Sequence, residues 1–432
     1  MTGILSHLPP RAAEVTGWAL EQIRGEKIDL DPDRLARYVA PVWRNPLLVP
    51  GGLYRWSVRL GPFEEQRASQ DADGVVEVEV ACAQDRTWIL RFTLDAESRL
   101  ASISMLRPPP PGVAIRPVSD GDWEELTALE AACPTRASDR SSASLHRGDH
   151  LHEHFALQKE VHLLVAEEAG RIVGARAFTV REVEIDGVRK RYAYSHFARI
   201  LPSHQSKGLF QPLNAGTMDP LMPSLDSVFA YRDPRNDAMV AALGTFPTWS
   251  LHVFRAELSC AGLAGEPFGR VATPEDAAHI ATLMNRCHGR EGFFAPYTPD
   301  TLRERLSRAP EAYSWSNLRV SDAAVVGAWL CGECRRIEKD GRARENSRGL
   351  VLDFGFDGRV GLDELERLLR HTCAAARDAG MDQLSIFSSP PSPGAAHIRE
   401  LAEDVVSYEF AFGEPEPPDL DERGAFVDPF YF

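Results

Sequence analysis

The chain contains no apolar run of the roughly 18 residues that a membrane-spanning helix requires, which excludes a helical membrane protein. Met1 to Pro10 lacks both the basic stretch and the long apolar stretch of a secretion signal, so the expected location is cytoplasmic. A basic excess is missing too. The 48 Lys and Arg stand against 63 Asp and Glu, a net charge of −15 that argues against nucleic acid and against anionic membrane surfaces as partners. Cysteine is sparse and scattered: Cys82, Cys133, Cys260, Cys287, Cys331, Cys334 and Cys373 are an odd number without a framework spacing, which points to reduced thiols. Cys331-Gly-Glu-Cys334 has no second C-x-x-C to complete a structural zinc site, and no metal is expected there.

What is present is enough apolar residue, 44% of 432, to fill sizeable cores in about three domains. Pro108 to Pro111 followed by Gly112 reads as a stiff linker over 108–112. Before it, residues 1–107 carry helical patterns at Arg11–Gly25 and Asp31–Val39, then strand patterns at Gly74–Ala81, Thr87–Leu94 and Leu100–Leu106. After it, Ile115–Asp122 reads as a strand entering the helix Trp123–Cys133. His162–Glu168 and Arg171–Phe178 form a hairpin about Ala169-Gly170, and a second hairpin turns at Asp186-Gly187. A strand from Tyr192 to Leu201 then runs into Pro202-Ser203-His204-Gln205-Ser206-Lys207-Gly208-Leu209-Phe210, which opens a helix. A strand feeding a glycine turn into a helix start aims several backbone N–H groups at one point, a cradle for pyrophosphate. Ser227–Tyr231 is the next strand, and Asn236 precedes a helix at Ala238–Leu243.

From about residue 264 the pattern recurs. Val271-Ala272-Thr273-Pro274-Glu275-Asp276-Ala277 repeats the strand-to-helix junction, Leu318–Leu330 repeats the first hairpin, and Asp353–Asp357 takes the place of the strand before the cradle. The helix Asp363–Ala379 follows without a glycine nest. The tail, residues 414–432, is rich in Pro and Asp and ends in Phe430-Tyr431-Phe432, which would anchor it by burial.

The order Gln205-x-x-Gly208 within this run of elements resembles the acyl-CoA-binding signature of the Gcn5-related N-acetyltransferase (GNAT) superfamily, over roughly residues 113 to 258. Phe210 departs from the small residue that the family has at its position. The resemblance implies an α/β (α+β) protein in which a GNAT domain at 113–262 is followed by a degenerate GNAT-like domain at 263–413 without a cofactor site, free to shape the acceptor pocket or an oligomer interface. Residues 1–107 resemble, more distantly, the ketosteroid-isomerase-like (NTF2-like) α+β fold, on Gly61-Pro62-Phe63 and Trp88–Asp95.

The activity implied is N-acyl transfer from acetyl-CoA to a primary amine of a small molecule or peptide, by direct attack in a ternary complex, since no cysteine lies beside the cradle in sequence. The backbone N–H groups of Ser206, Lys207, Gly208, Leu209 and Phe210, after Gln205, would hold the pyrophosphate, with Lys207 adding charge. Arg199, Ile200 and Leu201 would pair with the pantetheine amides, and the Ile200 N–H would polarise the thioester carbonyl. Asn236 matches an Asn that contacts the coenzyme A arm. For the base, alternation along the strand places Tyr192, Tyr194, His196, Ala198 and Ile200 on one face, and the imidazole of His196 suits proton acceptance near neutrality. Glu182 and Glu184 are reserves. The family's Tyr acid is replaced by Val240, and Tyr231 is the stand-in.

Two rival readings remain at this point. One is a non-catalytic acyl-CoA-binding scaffold. The other uses His146 and His150-Leu-His152-Glu153-His154, an H-x-x-E-H pattern that matches an inverted zinc-protease signature, against the plainer reading of a solvated or substrate-contacting histidine tract.

Overall fold

The structure is a computed structural model that describes residues 3–24, 33, 37–39, 63–72, 74–82, 86–106, 108–136, 142–185, 187–218, 220–221, 224–236, 248–339, 342–412, 420 and 422–428. The helical patterns expected at Asp31–Val39, for the most part, and at Ala238–Leu243 lie outside these residues, as do Asp186, Val240 and Phe430–Phe432. By its internal contacts the chain divides into two compact units: residues 1–115 with 205–220, and residues 116–204 with 221–432.

The first unit holds helix α1 (Pro10–Arg24) and an antiparallel meander of strands β1 (Phe63–Gln70), β2 (Val76–Cys82), β3 (Arg86–Leu94) and β4 (Leu100–Leu106) in that order. Helix α1 buries Ala12, Val15, Ala19 and Ile23, a stripe at helical spacing. Strand β2 buries Val76, Val78, Val80 and Cys82, every second residue, and Trp88, Leu90 and Phe92 of β3 complete the core. Strand β1 was not expected: its sequence, FEEQRASQ, is polar, and its pairing with β2 recruits it.

At β5 (Val113–Pro117) the chain passes into the second unit. There follow α2 (Trp123–Ala132), the short β6 (Thr135–Arg136) and β7 (Ser142–His146), α3 (His150–Ala156), β8 (Val161–Glu168), β9 (Arg171–Ile185) and β10 (Val188–Ile200). Helix α4 (Phe210–Met218), grouped with the first unit, precedes β11 (Ser227–Arg232) and β12 (Thr248–Ser259). The second half runs α5 (Cys260–Leu263), β13 (Arg270–Val271), α6 (Ala277–His288), α7 (Pro299–Leu306), β14 (Leu318–Val320), β15 (Ala324–Lys339), β16 (Arg342–Phe356), α8 (Gly358–Asp378), β17 (Gln383–Ser388), α9 (Ala395–Leu401) and β18 (Asp404–Phe412).

One sheet gathers these strands in the order β13-β14-β15-β16-β17-β12-β18-β11-β10-β9-β8-β5, with β7 against β15 and β6 against β7. The two halves exchange their last strands. Strand β12 follows β11 in the chain but pairs with β17 and β18, while β18 follows β17 and pairs with β11 and β12. The recurring junction is atomically alike in both halves. Arg116 grips Asp122 with Nη1 and Nη2, at 2.7 and 2.9 Å, and Asp122 accepts the Ser119 N–H; Arg270 grips Asp276 in the same way, and Asp276 accepts the Thr273 N–H. Each carboxylate thereby caps a helix start and is held well below its usual range by its arginine.

The helix expected at Asp363–Ala379 begins earlier, at Gly358, whose φ of 64° lets the chain leave β16. Among the described residues no helix is long and apolar enough to cross a membrane.

Candidate functional site

Strands β10 and β11 lie side by side in parallel, but their pairing covers only Tyr192 to Tyr194 against Ser227 to Phe229. Beyond it β10 continues to Ile200, while β11 runs on to Arg232 along β18, its neighbour on the other edge. Past Tyr194 the two strands part, and among the described residues no further strand pairs with β10 on that side.

The same stretch holds a β-bulge. His196 pairs with Ala177 and Arg199 with Ala175, so Phe197 and Ala198 together face Arg176, and Phe197 takes a φ of 47°. This corrects the alternation expected along the strand. Paired residues share a face, so the extra residue moves Arg199 onto the face of Tyr194 and His196 and sends Ile200 to the other. Ala198 is exposed.

The three side chains expected to be catalytic are neighbours. The Tyr194 ring stacks on His196 at 5.1 Å and meets Tyr231 at 5.6 Å, and all three are buried. Glu182 and Glu184 are elsewhere. They pair with Arg191 and Arg189 near the hairpin end, and Glu184 is five residues from Thr179, the partner of Tyr194, or about 17 Å along the strand. Both are exposed and serve no base role at His196.

Helix α3 carries the histidine tract, and its residues face different surroundings. His150 Nδ1 pairs with the Glu153 carboxylate at 2.7 Å, His152 lies against Trp123, and His154 is buried with its ring 6.4 Å from that of His196. Among the described residues no three His, Cys, Asp or Glu side chains gather into a metal-binding group. The spacing of H-x-x-E-H survives and sets His150 and His154 against the same Trp329 ring, but Glu153 is paired with His150 and the tract delivers His154 and Phe155 onto the His196 ring.

His196 is held in place through Thr179, whose Oγ1 lies 2.8 Å from Nε2. Thr179 also donates to Gln158 Oε1, and Gln158 Nε2 donates to the His154 carbonyl at 3.0 Å. On the opposite face Arg176 donates to the His196 carbonyl and to Ser195 Oγ. Burial, then Arg176, Arg147 and Arg199, hold the His196 pKa well below its ordinary value. The ring is therefore neutral near neutral pH. His154 is held down as well, by burial, by Arg147 and by His196.

After Ile200 comes a single turn, Pro202–His204, with His204 Nε2 on the Glu168 carboxylate at 2.9 Å. In the following turn Ser206 and Gly208 have φ of 63° and 86°. Two left-handed residues in alternation point successive N–H groups to one side, a backbone that fits an anion such as a diphosphate, and helix α4 starts directly after it at Phe210. Arg199, Ile200 and Leu201 belong to the second unit, whereas Gln205 to Phe210 group with the first. Asn236 closes a turn after β11, its N–H donating to the Asp233 carbonyl at 3.0 Å.

One expectation fails at β10. Cys133, at the end of α2, accepts the Ile200 N–H, so a thiol does lie beside this strand; burial raises its pKa, against the pull of Arg199 and of that hydrogen bond. At the C-x-x-C, Cys331 is buried with its pKa pushed to about 12, and Cys334 is raised as well, chiefly by burial. Both thiols stay protonated and are unsuited to redox work. Sequence reasoning missed Thr179, Gln158 and Arg176 altogether, since each reads as an ordinary residue of a strand or a helix end.

No protein-family model matches the chain, and no curated protein is similar to it in sequence. Solved structures do share its fold. The N-myristoyltransferase of Saccharomyces cerevisiae with bound myristoyl-CoA aligns over 74% of this chain and 91% of its own at a TM-score of 0.55, with 9% identity. A second structure of it, with myristoyl-CoA and inhibitors, covers 74% and 88% at 0.54, with 10% identity. A GCN5-related N-acetyltransferase from Sphaerobacter thermophilus covers 72% and 98% with 14% identity, at a TM-score of 0.45. At such identities the likeness is one of fold alone, that of the yeast N-myristoyltransferase.

Proposed function

We propose that this protein is an N-acyltransferase that moves an acyl group from an acyl-CoA to an amine. The observation that carries the reading is the parting of β10 from β11 at Tyr194, which among the described residues leaves that edge of β10 without a paired strand, where the pantetheine amides would lie beside a neutral histidine. The Ser206–Gly208 turn, within the first unit, has by itself a backbone geometry suited to a diphosphate. Both fit acyl-CoA, and the yeast structures of like fold hold myristoyl-CoA. Acetyl-CoA is the donor we assign, with myristoyl-CoA as the contrast to run beside it.

In this reading the amine nitrogen attacks the thioester carbon, the C–N bond forms, and the C–S bond pair leaves on the sulfur of coenzyme A. His196 takes the proton that the nitrogen loses. The Ile200 N–H is already engaged with Cys133, so its role toward the thioester oxygen requires that contact to yield. Arg176 and Arg199 make the surroundings of His196 positive, which disfavours a bound ammonium and favours its neutral form. The acceptor is a small-molecule or peptide amine. The second half, residues 263–413, is a GNAT-like repeat that has lost its cradle, and residues 1–107 form an NTF2-like accessory domain.

The test is calorimetric titration of acetyl-CoA and of myristoyl-CoA into the wild type and Gly208→Glu. Micromolar binding to the wild type, abolished by a carboxylate at a site meant for diphosphate, supports the reading. Absence of binding of either donor to the wild type overturns it.

A further inference from the structure

We propose that Gln158 and Thr179 are positioning residues: their hydrogen bonds hold His196 as the Nε2–H tautomer and leave the Nδ1 lone pair to take the proton of the acceptor amine. The inference rests on the acyltransferase reading for its last step only.

The direction of the relay follows from counting protons. Gln158 Nε2 donates to the His154 carbonyl, a group that can only accept, and this fixes the orientation of the amide. Gln158 Oε1 then faces Thr179, and an amide oxygen can only accept, so the single hydroxyl proton of Thr179 is spent on it. What Thr179 Oγ1 offers to His196 Nε2, 2.8 Å away, is a lone pair. Nε2 must carry the hydrogen. A neutral imidazole has one N–H, so Nδ1 is the basic nitrogen.

The three arginines that act on the ring all favour its neutral form. Arg176 approaches from the opposite face of the sheet, Arg199 from beyond the bulge, Arg147 from the loop before α3 and His154 from α3 itself, with the Tyr194 ring stacked on His196. Among the described residues no hydrogen bond is made to Nδ1. A lone pair left unspent is what a base needs. In the reaction Nδ1 takes a proton from the attacking nitrogen as the C–N bond forms, then returns it to the departing thiolate, so no further reactant is required.

The test is long-range proton–nitrogen NMR of the full chain labelled with 15N-histidine, with His196 assigned by its loss in His196→Asn. The expected spectrum at neutral pH shows a protonated Nε2 and a bare Nδ1. Thr179→Val removes the acceptor and admits the other tautomer; Thr179→Ser restores the wild-type pattern. With an acyl-CoA and an accepted amine, Thr179→Val lowers kcat by about tenfold or more with KM little changed, and Thr179→Ser recovers it. A wild-type ring protonated at Nδ1, or at both nitrogens, overturns the relay. The Nε2–H pattern without transfer to any amine overturns the acyltransferase reading, and the base with it, while confirming the hydrogen-bond direction.

Discussion

Arg147 and Glu333 meet at 3.1 Å in the interior of the second unit, and they are the second and third members of a chain of six buried side chains whose charges alternate. Glu130 binds Arg147, Glu333 binds Arg348, and Glu257 joins Arg348 to Arg255. The six come from α2, the loop after β7, β15, β16 and β12, so the chain of charges ties the first half of the unit to the second.

Breaking that chain in the middle should be costly. Glu333→Gln keeps the volume but leaves Arg147 and Arg348 sharing too little negative charge in a place water does not reach. A loss of about 3–5 kcal/mol is expected in urea unfolding. Lys159→Ala, at an exposed pair with Glu304, should change stability by less than about 0.5 kcal/mol. Equal effects would mean that the interior chain is screened.

The two junction carboxylates invite a matched comparison. Asp122 and Asp276 each bind an arginine through both oxygens and cap a helix start. Asp122→Ala and Asp276→Ala should each cost about 1–3 kcal/mol, and the two values should agree within about 1 kcal/mol. A large cost at one site and none at the other would show that the two junctions differ in weight despite their matching bonds.

Much of this was legible in the sequence because it is local. Ala169 and Gly170 both take positive φ, as a tight hairpin demands, and the Thr273–Asp276 junction announced itself by its likeness to Ser119–Asp122. The clustering of Tyr194 and His196 followed from alternation as far as alternation held. It failed at Phe197, because nothing in a bulky aromatic residue signals a left-handed backbone, and there the face of Arg199 and Ile200 was lost. The exchange of β12 and β18 was beyond reach, since a strand's pattern of burial does not name its partner. The histidine tract misled for the same reason: spacing fixed which residues share a helix turn, and packing against Trp123 and His196 decided what each does.

Three buried histidines should shape stability against pH in opposite directions. Folded His154 and His196 are neutral, whereas in the unfolded chain they titrate near their ordinary value of about 6.5. Below about pH 6.5 the unfolded chain binds the extra protons, so stability falls as pH drops. His288 is the reverse. Nδ1 lies 2.7 Å from the Glu291 carboxylate and Nε2 2.8 Å from the Phe354 carbonyl, both acceptors, so the folded ring carries two protons. Burial opposes that charge, but Cys287 and Glu291 outweigh it and hold the pKa well above the ordinary value. Its contribution is complete below about pH 6.5 and is lost as pH rises beyond. Thermal unfolding between about pH 5 and pH 8 should show the acid limb flattened in His154→Phe and the alkaline limb flattened in His288→Asn.

Cys133 decides between two chemistries. Its sulfur accepts the Ile200 N–H beside β10, where an acyl group carried by pantetheine would lie in the reading given above. A covalent route would need the thiolate, and burial raises this pKa more than Arg199 and the hydrogen bond lower it, so the thiol stays protonated and a poor nucleophile. Direct attack by the amine therefore predicts that Cys133→Ala keeps kcat within about twofold, with the acyl-CoA and amine dependences intersecting as a ternary complex requires. Mass spectrometry of the wild type after acyl-CoA alone should show no acyl adduct. An adduct at Cys133, together with inactivity of the variant, would replace direct transfer by a two-step exchange through the thiol, and would turn the Ile200 contact from an obstacle into the device that holds the sulfur ready.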